Sequence, residues 1–187
     1  MSQTDATIVS LIERLWNVRE NAEWTPKTDR LVLADVKTWM KSRDLEVLGF
    51  VYGLIHDRRF RIEPPLPVLD YVVWAKHYYE RCLRENPEGK WANSAYSAGW
   101  DLVGLFLSLW DDESVPRKLL LDLKKWLADL YKDADENLRN CIVLATLEHL
   151  FERKPIRKYF ADWCDDPILA RAYEEACLWN GKTPLSK

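Results

Sequence analysis

The chain has 187 residues, a formal net charge of −3 and a pI near 5.7. Hydrophobic residues make up 48% of it and charged residues 30%, which excludes a chain too polar to fold. A length of this order suits one compact unit, so we expect a single domain over residues 1–187. The basic residues are spread along an acidic chain, and this excludes the concentrated positive field that attracts nucleic acid.

The cysteines and the apolar runs indicate the compartment. The longest apolar run, Leu102–Trp110, is far shorter than the roughly 20 residues that a membrane-spanning helix needs. The polar start at Met1–Thr7 does not resemble a secretory signal. The cysteines have no C-x-x-C spacing, and apolar, helical patterns surround them: Cys82, Cys141, Cys164 and Cys177. We therefore expect buried thiols, a cytoplasmic location and no membrane association.

The sequence predicts an all-α fold, a helical bundle or short α-solenoid of about eight or nine helices. Glycines are few, alternating β-branched runs are absent, and prolines fall between periodic segments. In the third predicted helix, Gly49 and Gly53 lie one turn apart and would let another helix approach closely. Ser114 is the predicted N-cap of the sixth helix, with Pro116 in its first turn. The predicted helices cover residues 4–22, 30–42, 44–57, 67–86, 92–111, 115–132, 135–152, 155–163 and 167–179.

Two stretches of the chain resemble each other, and the resemblance continues in order. IVSLIERLWNV at Ile8–Val18 is echoed by LVGLFLSLWDD at Leu102–Asp112. The order predicts an internal duplication with pseudo-repeats 4–86 and 92–179, which would stack to bury their apolar faces. Chance similarity between amphipathic helices rich in Trp and Leu is the alternative. Three further matches follow: Ala34–Met40 with Leu121–Leu127, His56 with His149, and Tyr78–Leu83 with Tyr173–Leu178.

Catalytic motifs are absent from the sequence. The pairs His77-x-x-Glu80 and His149-x-x-Glu152 suggest a metal site, but they reverse the Glu-x-x-His order of di-iron bundles. Three histidines are the whole supply of near-neutral bases, and neither a nucleophile elbow nor a glycine-rich phosphate loop occurs. We expect no catalytic residues, no metal and no cofactor, although a triad assembled from distant residues would leave no motif.

One predicted helix carries a strip of small polar groups on an otherwise apolar surface. A projection at about 100° per residue places the strip within a narrow arc of the helix over residues 92–111. Such a strip is either the solvent edge of the helix or the lining of a groove, in which Asp101 would hydrogen-bond or ion-pair with a partner. Its members are Asn93, Ser97, Asp101, Gly104 and Ser108.

Acidic residues form a second candidate binding surface. One group follows the same helix, at Asp111, Asp112 and Glu113. The other lies in the turn before the last helix, where Asp165 or Asp166 is expected to be the N-cap. Together with Asp162, these groups could attract a basic protein and speed its encounter more than they raise affinity.

These observations favour a protein–protein interaction module over an enzyme. Small size, acidity, helicity and absent catalytic motifs suggest, by analogy, a small bacterial immunity, inhibitor or adaptor protein that binds another protein as a monomer or homodimer. Binding would use the groove or the acidic surface. The alternative is a helical-bundle enzyme or small-ligand-binding protein with a Trp- and Tyr-lined pocket, in which Asp101 or a histidine supplies the polar group.

Overall fold

The protein is described by a computed structural model over residues 29–58 and 60–181. These residues are mostly helical, as predicted, with one small two-stranded sheet. The predicted helix 4–22 lies outside the described residues. The elements are β1 (Asp29–Val32), α1 (Leu33–Trp39), α2 (Leu45–His56), β2 (Phe60–Glu63), α3 (Val68–Glu85), α4 (Ala95–Asp111), α5 (Arg117–Lys132), α6 (Glu136–Ile142), a π-helical turn (Val143–Leu147), α7 (Glu148–Phe151), α8 (Lys154–Tyr159), a 3₁₀ turn (Ala161–Asp165) and α9 (Pro167–Trp179).

The structure differs from the predicted elements mainly at the start of the described chain. A helix was predicted over residues 30–42, but β1 occupies the first part of this range and α1 begins at Leu33. Leu31 is buried between exposed neighbours, Arg30 and Val32, which is the two-residue period of a strand. β1 pairs in parallel with β2, with Leu31 opposite Ile62. The four-residue strand is too short for its period to stand out from a helical pattern.

None of the helices within the described ranges is both long and apolar enough to cross a membrane. The described chain divides into two compact units. The first runs to Cys82 and includes Pro87–Asn93, and the second comprises Leu83–Asn86 and continues from Ser94.

In the first unit, α2 holds the segment that precedes α4. Glu46 Oε2 accepts hydrogen bonds from the backbone N–H groups of Lys90 and Trp91 at 2.8 and 2.9 Å. Glu46 Oε1 accepts a third from Ala92 at 3.0 Å. A Cβ atom at Gly89 would lie 1.8 Å from Glu46 Oε1, so a larger residue there would displace the Glu46 carboxylate. One carboxylate therefore satisfies three backbone donors, which the loop cannot pair by itself.

Close approach at Gly49 occurs, although the partner is a loop and not the helix that was predicted. A Cβ atom at Gly49 would lie 2.4 Å from the backbone oxygen of Trp91. The Trp91 ring packs edge-on against Phe50, with 5.1 Å between ring centroids. At Gly53 an added Cβ would meet no atom of the described residues within 4 Å. Gly49 thus lets the loop backbone lie directly on α2, whereas Gly53 has no such close neighbour in the described part of the chain.

Aromatic side chains fill the centre of the first unit. Trp74 and Tyr78 stack with 5.6 Å between centroids, and Tyr78 stacks on Tyr52 at 5.2 Å. The hydroxyl group of Tyr79 donates to that of Tyr52 at 3.2 Å. Burial raises the pKa of Tyr78 and that of Tyr79 well above the ordinary value of 10.0. Both phenols therefore stay protonated and act as neutral hydrogen-bonding core groups.

The core of the second unit contains two buried cations besides its aromatic rings. Lys124 Nζ donates to the backbone oxygen of Tyr159 at 2.6 Å and to Asp162 at 2.5 Å. The same ammonium group lies 4.5 Å from the centroid of the Tyr159 ring. Arg157 is also buried, and its Nη1 donates a long hydrogen bond of 3.4 Å to the backbone oxygen of Phe151. These contacts compensate the desolvation of Lys124 more fully than that of Arg157.

The two halves share buried positions but differ in the lengths of their elements. Tyr78 and Cys82 on α3 correspond to Tyr173 and Cys177 on α9, and all four side chains are fully buried. By contrast, α1 has 7 residues and its predicted counterpart α5 has 16. In the described residues, both strands lie in the first half. The shared positions agree with a duplication, which stays a prediction.

Substituting Gln for Glu46 should destabilise the fold. The Gln side chain keeps one acceptor oxygen, so backbone donors of the loop lose their partner, and we expect the free energy of unfolding to fall by about 1–3 kcal/mol. Urea unfolding followed by circular dichroism measures the change. Glu88→Gln removes an exposed carboxylate from the same segment and is the matched control. Equal unfolding midpoints for the two variants would contradict the role given to Glu46.

Candidate functional site

The exposed side of α4 is the candidate site. Ser94 caps the helix by accepting a hydrogen bond from the Ser97 N–H at 3.2 Å. Two large aromatic rings project from this side, with Tyr96 exposed to 50% and Trp100 to 51%. We call this surface the α4 outer face, and it comprises Tyr96, Ser97, Trp100, Asp101, Gly104 and Ser108, all of which are exposed or half-buried.

The opposite side of α4 packs on the π-helical turn through Gly99. A Cβ atom at Gly99 would lie 2.6 Å from the Cβ atom of Ala145, so no larger residue fits without a shift. The buried hydroxyl group of Thr146 donates to the Gly99 backbone oxygen at 3.1 Å. A π turn inserts a residue into the helical repeat and commonly occurs at functional sites. This contact fixes α4 at Gly99, and Trp100 follows directly on the outward side.

Trp100 is held by a histidine that the π turn positions. The Trp100 and His149 rings stack with centroids 3.8 Å apart and an interplanar angle of 28°. The Nδ1 atom of His149 lies 3.3 Å from Glu152 Oε1. The imidazole therefore supports the indole ring, about half of whose surface remains open to solvent. An aromatic ring held in this way can contact a partner with little further loss of rotamer freedom.

Tyr96 also borders an open pocket of about 600 Å³ within the second unit. We call it the α4–α6 pocket. Buried side chains from the end of α3, the start of α4 and α6 contribute its apolar surface: Leu83, Ala95, Leu138 and Cys141. The remaining lining is polar or aromatic: Arg84, Asn86, Tyr96, Asp133, Asp135 and Asn137.

The polar groups of the pocket are partly engaged with the protein itself. Arg84 Nη2 lies 2.9 Å from Asp133 Oδ2. Asn86 Oδ1 accepts from the Ala95 N–H, and Asp135 Oδ1 caps α6 by accepting from the Leu138 N–H at 2.8 Å. Burial raises the pKa of the Cys141 thiol to about 11. The thiol is therefore protonated at neutral pH and is a poor nucleophile, which favours non-covalent binding in this pocket.

The residues of the predicted polar strip fall into two groups. Ser97, Asp101 and Ser108 lie on the α4 outer face, which is the solvent edge of the helix. The Ser108 hydroxyl group donates to the Leu105 backbone oxygen at 2.8 Å. Asn93 belongs instead to the first unit, where its side-chain oxygen accepts from the Tyr78 hydroxyl group at 3.1 Å. The structure therefore brings three of the four predicted binding residues of the strip to one face.

The predicted acidic residues after α4 are largely engaged within the protein. Asp111 receives two contacts from Arg153 Nη1, at 2.7 and 2.8 Å. Asp112 accepts from the backbone N–H and the hydroxyl group of Ser114, and these hydrogen bonds hold the pKa of Asp112 below its usual range. The prediction that Ser114 caps the next helix is therefore wrong. Pro116 occupies that position without a side-chain cap.

The acidic residues before α9 also have internal partners. Asp162 pairs with Lys124. Of the two residues predicted as the N-cap of α9, Asp165 and Asp166, Asp166 is the cap. It accepts hydrogen bonds from the backbone N–H groups of Ile168 and Leu169. It also pairs with Lys132, while Asp165 is exposed. Much of the predicted negative surface is thus compensated by neighbouring cations.

Sequence reasoning missed Tyr96 and Trp100 as binding candidates. Residues four apart on a helix lie about 40° apart around its axis, so Trp100 projects next to Gly104, at the edge of the polar strip. The position of a Trp beside the strip was therefore visible in the sequence. The pocket had no comparable signal, because its lining comes from three separate helices.

Among residues 29–58 and 60–181, no group of three or more His, Cys, Asp or Glu side chains is arranged to hold a metal ion. Comparisons of the chain with protein-family models, with curated proteins and with solved structures give no match.

Two glycines of α4 should respond in opposite ways to substitution by alanine. Gly99→Ala would force the added methyl group against Ala145, and we expect it to lower the free energy of unfolding by about 1–3 kcal/mol. Gly104→Ala has no neighbour within 4 Å of the new Cβ, so the higher helix propensity of alanine should add about 0.5–1 kcal/mol. Thermal unfolding of both variants tests the packing. A stable Gly99→Ala variant would contradict the close approach to the π turn.

The stability of the fold should depend on pH through Asp166. The hydrogen bond from Lys132, together with those from Leu169 and Ile168, holds the pKa of Asp166 below its ordinary value of 3.8. Because the pKa is lower in the folded state, this stabilisation is present above the ordinary pKa and is lost as the pH falls through the folded-state value. Asp166→Asn keeps a capping side chain and removes the charge. We expect a smaller decrease in Tm between about pH 6 and pH 3 for this variant, and an unchanged decrease would contradict the assignment.

Proposed function

We propose that this protein acts by binding another protein, and that the α4 outer face and the adjoining α4–α6 pocket are its binding surface. The observation that supports the proposal is the pair of half-exposed rings, Tyr96 and Trp100, one turn apart on α4 beside an open pocket. Tyr and Trp are the residues most enriched among those that dominate binding energy at protein interfaces.

The surroundings of the rings also favour a protein partner. Between and beside them lie small polar side chains, Ser97 and Ser108, and an open glycine, Gly104. Small groups let a partner backbone approach the helix, and their hydroxyl groups offer hydrogen bonds at the rim. The half-buried carboxylate of Asp101 adds one charged group to this face. A surface with aromatic anchors and a polar surround is typical of protein interfaces.

The biological role that best fits a binding surface without catalytic groups is that of a small adaptor, inhibitor or immunity protein in the cytoplasm. This part of the proposal is an analogy from size, acidity and helical fold. The acidic residues Asp111, Asp112, Asp162, Asp165 and Asp166 contribute less to it, because most of them have internal partners.

A small-ligand site is the second candidate function, and the pocket is the observation that favours it. Its volume of about 600 Å³ falls within the range of small-molecule sites. Its lining offers a ligand both apolar surface and several hydrogen-bonding or charged groups. A thermal-shift screen with small molecules would show ligand-dependent stabilisation if this function holds.

The protein-binding proposal predicts that a partner is lost when the two rings are removed. Tagged wild type and a Tyr96→Ser/Trp100→Ser variant are used for affinity capture from the native cells, and bound proteins are quantified by mass spectrometry. We expect a stoichiometric partner with the wild type and a decrease of at least about tenfold with the variant, since two such residues are each worth about 1–4 kcal/mol.

Trp179→Ser is the matched control, because this Trp is exposed to 66% on α9 and lies outside the α4 outer face. Circular dichroism establishes that all three proteins are folded. If the partner is lost with the Trp179→Ser variant but retained with the Tyr96→Ser/Trp100→Ser variant, the proposed surface is contradicted. No stoichiometric partner with the wild type would favour the small-ligand function.

A further inference from the structure

We propose that the α4–α6 pocket receives a basic side chain, arginine or lysine, from a peptide segment of the partner. This inference rests on the proposed function and names the chemistry of the partner. It follows from the charges on the pocket rim, from the apolar surface below them and from the position of Tyr96 between the pocket and the α4 outer face.

The rim of the pocket has an excess of negative charge. It carries two carboxylates, Asp133 and Asp135, and one cation, Arg84, so its formal charge is −1. Arg84 contacts Asp133 through Oδ2 only, and the Asp133 side chain remains 77% exposed. Asp135 uses Oδ1 to cap α6, and among the described residues its Oδ2 atom has no hydrogen-bond or ion-pair partner. A ligand cation can therefore contact carboxylate oxygens that the protein leaves open.

The apolar surface of the pocket discriminates between ligands of different chemistry. Leu83, Ala95 and Leu138 would lie against the carbon stem of an arginine or lysine, while the charged end stays at the rim. The Tyr96 ring can contact the same stem or take the cation over its face. An anionic side chain would meet two carboxylates, and a purely apolar one would desolvate Asp135 without compensation. A long cationic side chain is the one type that satisfies both parts of the lining.

A peptide segment fits better than an isolated amine. The pocket volume of about 600 Å³ is several times that of one side chain, so neighbouring residues of a segment would enter with the cation. Because Tyr96 belongs to both surfaces, a segment that leaves the pocket past this ring continues onto the α4 outer face towards Trp100. The two rings and the pocket then act as one continuous recognition surface.

The test uses N-acetyl-arginine amide as the probe, with N-acetyl-citrulline amide as its uncharged isostere. Each is titrated into the ¹⁵N-labelled full chain, and backbone amide shifts are followed by NMR. We expect saturable shifts at Tyr96, Asp135 and Leu138 with the arginine probe. The citrulline probe should bind at least about fivefold more weakly, because it lacks one charge-assisted contact. Equal binding of the two probes, or shifts confined to other residues, would overturn the inference.

Asp135→Asn is the decisive variant, because Asn caps a helix as well as Asp does but carries no charge. Arginine binding should weaken by at least about fivefold in this variant. Asp44→Asn is the matched control, since Asp44 is likewise an N-cap, that of α2, and does not line the pocket. Its arginine affinity should equal that of the wild type. An unchanged affinity of Asp135→Asn, or an equal loss in both variants, would overturn the inference.

The two proposals fail in different ways. A captured partner that depends on Tyr96 and Trp100, together with no arginine binding at the pocket, leaves the protein-binding function standing and removes the inference about its chemistry. Arginine binding that depends on Asp135, together with no captured partner, supports the pocket chemistry and counts against the proposed function. A segment of the captured partner is then titrated into the protein, once with its basic residues and once with alanines in their place. This titration tests the proposed function and the pocket chemistry together.

Discussion

The surface of the second unit depends on the contact between Gly99 and the π-helical turn. With hydrogen in place of a side chain at Gly99, α4 lies against Ala145, and the Thr146 hydroxyl group satisfies the Gly99 carbonyl at the contact. The next residue, Trp100, cannot enter this interface and stays on the outer side. The same π turn leads into α7, where His149 reaches the Trp100 ring. One close approach therefore sets both the depth of α4 and the orientation of its exposed ring.

Several charged side chains of the second unit have partners within it. Lys124 has a carboxylate and a backbone oxygen for its ammonium group, and Asp111 has Arg153. Arg157 is buried beside the last carbonyl of α7, where the negative end of the helix dipole favours a cation, although its Nε atom has no hydrogen-bond partner. At the rim of the pocket, by contrast, the Oδ2 atom of Asp135 has no partner among the described residues. The excess charge of the rim is available to a ligand.

Periodicity predicted the helices well because long amphipathic patterns extend over several turns, as in α5. The cap at Asp166 was predictable because capping is local. The ion pair of Asp111 could not be predicted in this way, because its partner Arg153 lies 42 residues further along the chain. The same limit applies to Glu46, whose backbone partners are 44 to 46 residues away. The local sequence suggested an acidic surface, whereas tertiary contacts compensate much of its charge.

The internal similarity of the chain indicates which side chains the packing of the helices requires. Tyr and Cys recur one turn apart at Tyr78 and Cys82 and at Tyr173 and Cys177, and each is fully buried, as a packing requirement would demand. In the predicted duplication Trp110 matches Trp16 at an offset of 94 (110 − 16), and at this offset Trp100 matches Ala6. Trp100 therefore has no aromatic counterpart in the predicted first repeat. We propose that this half-exposed ring serves contact with another molecule, because Trp is enriched among the residues that dominate binding energy at interfaces.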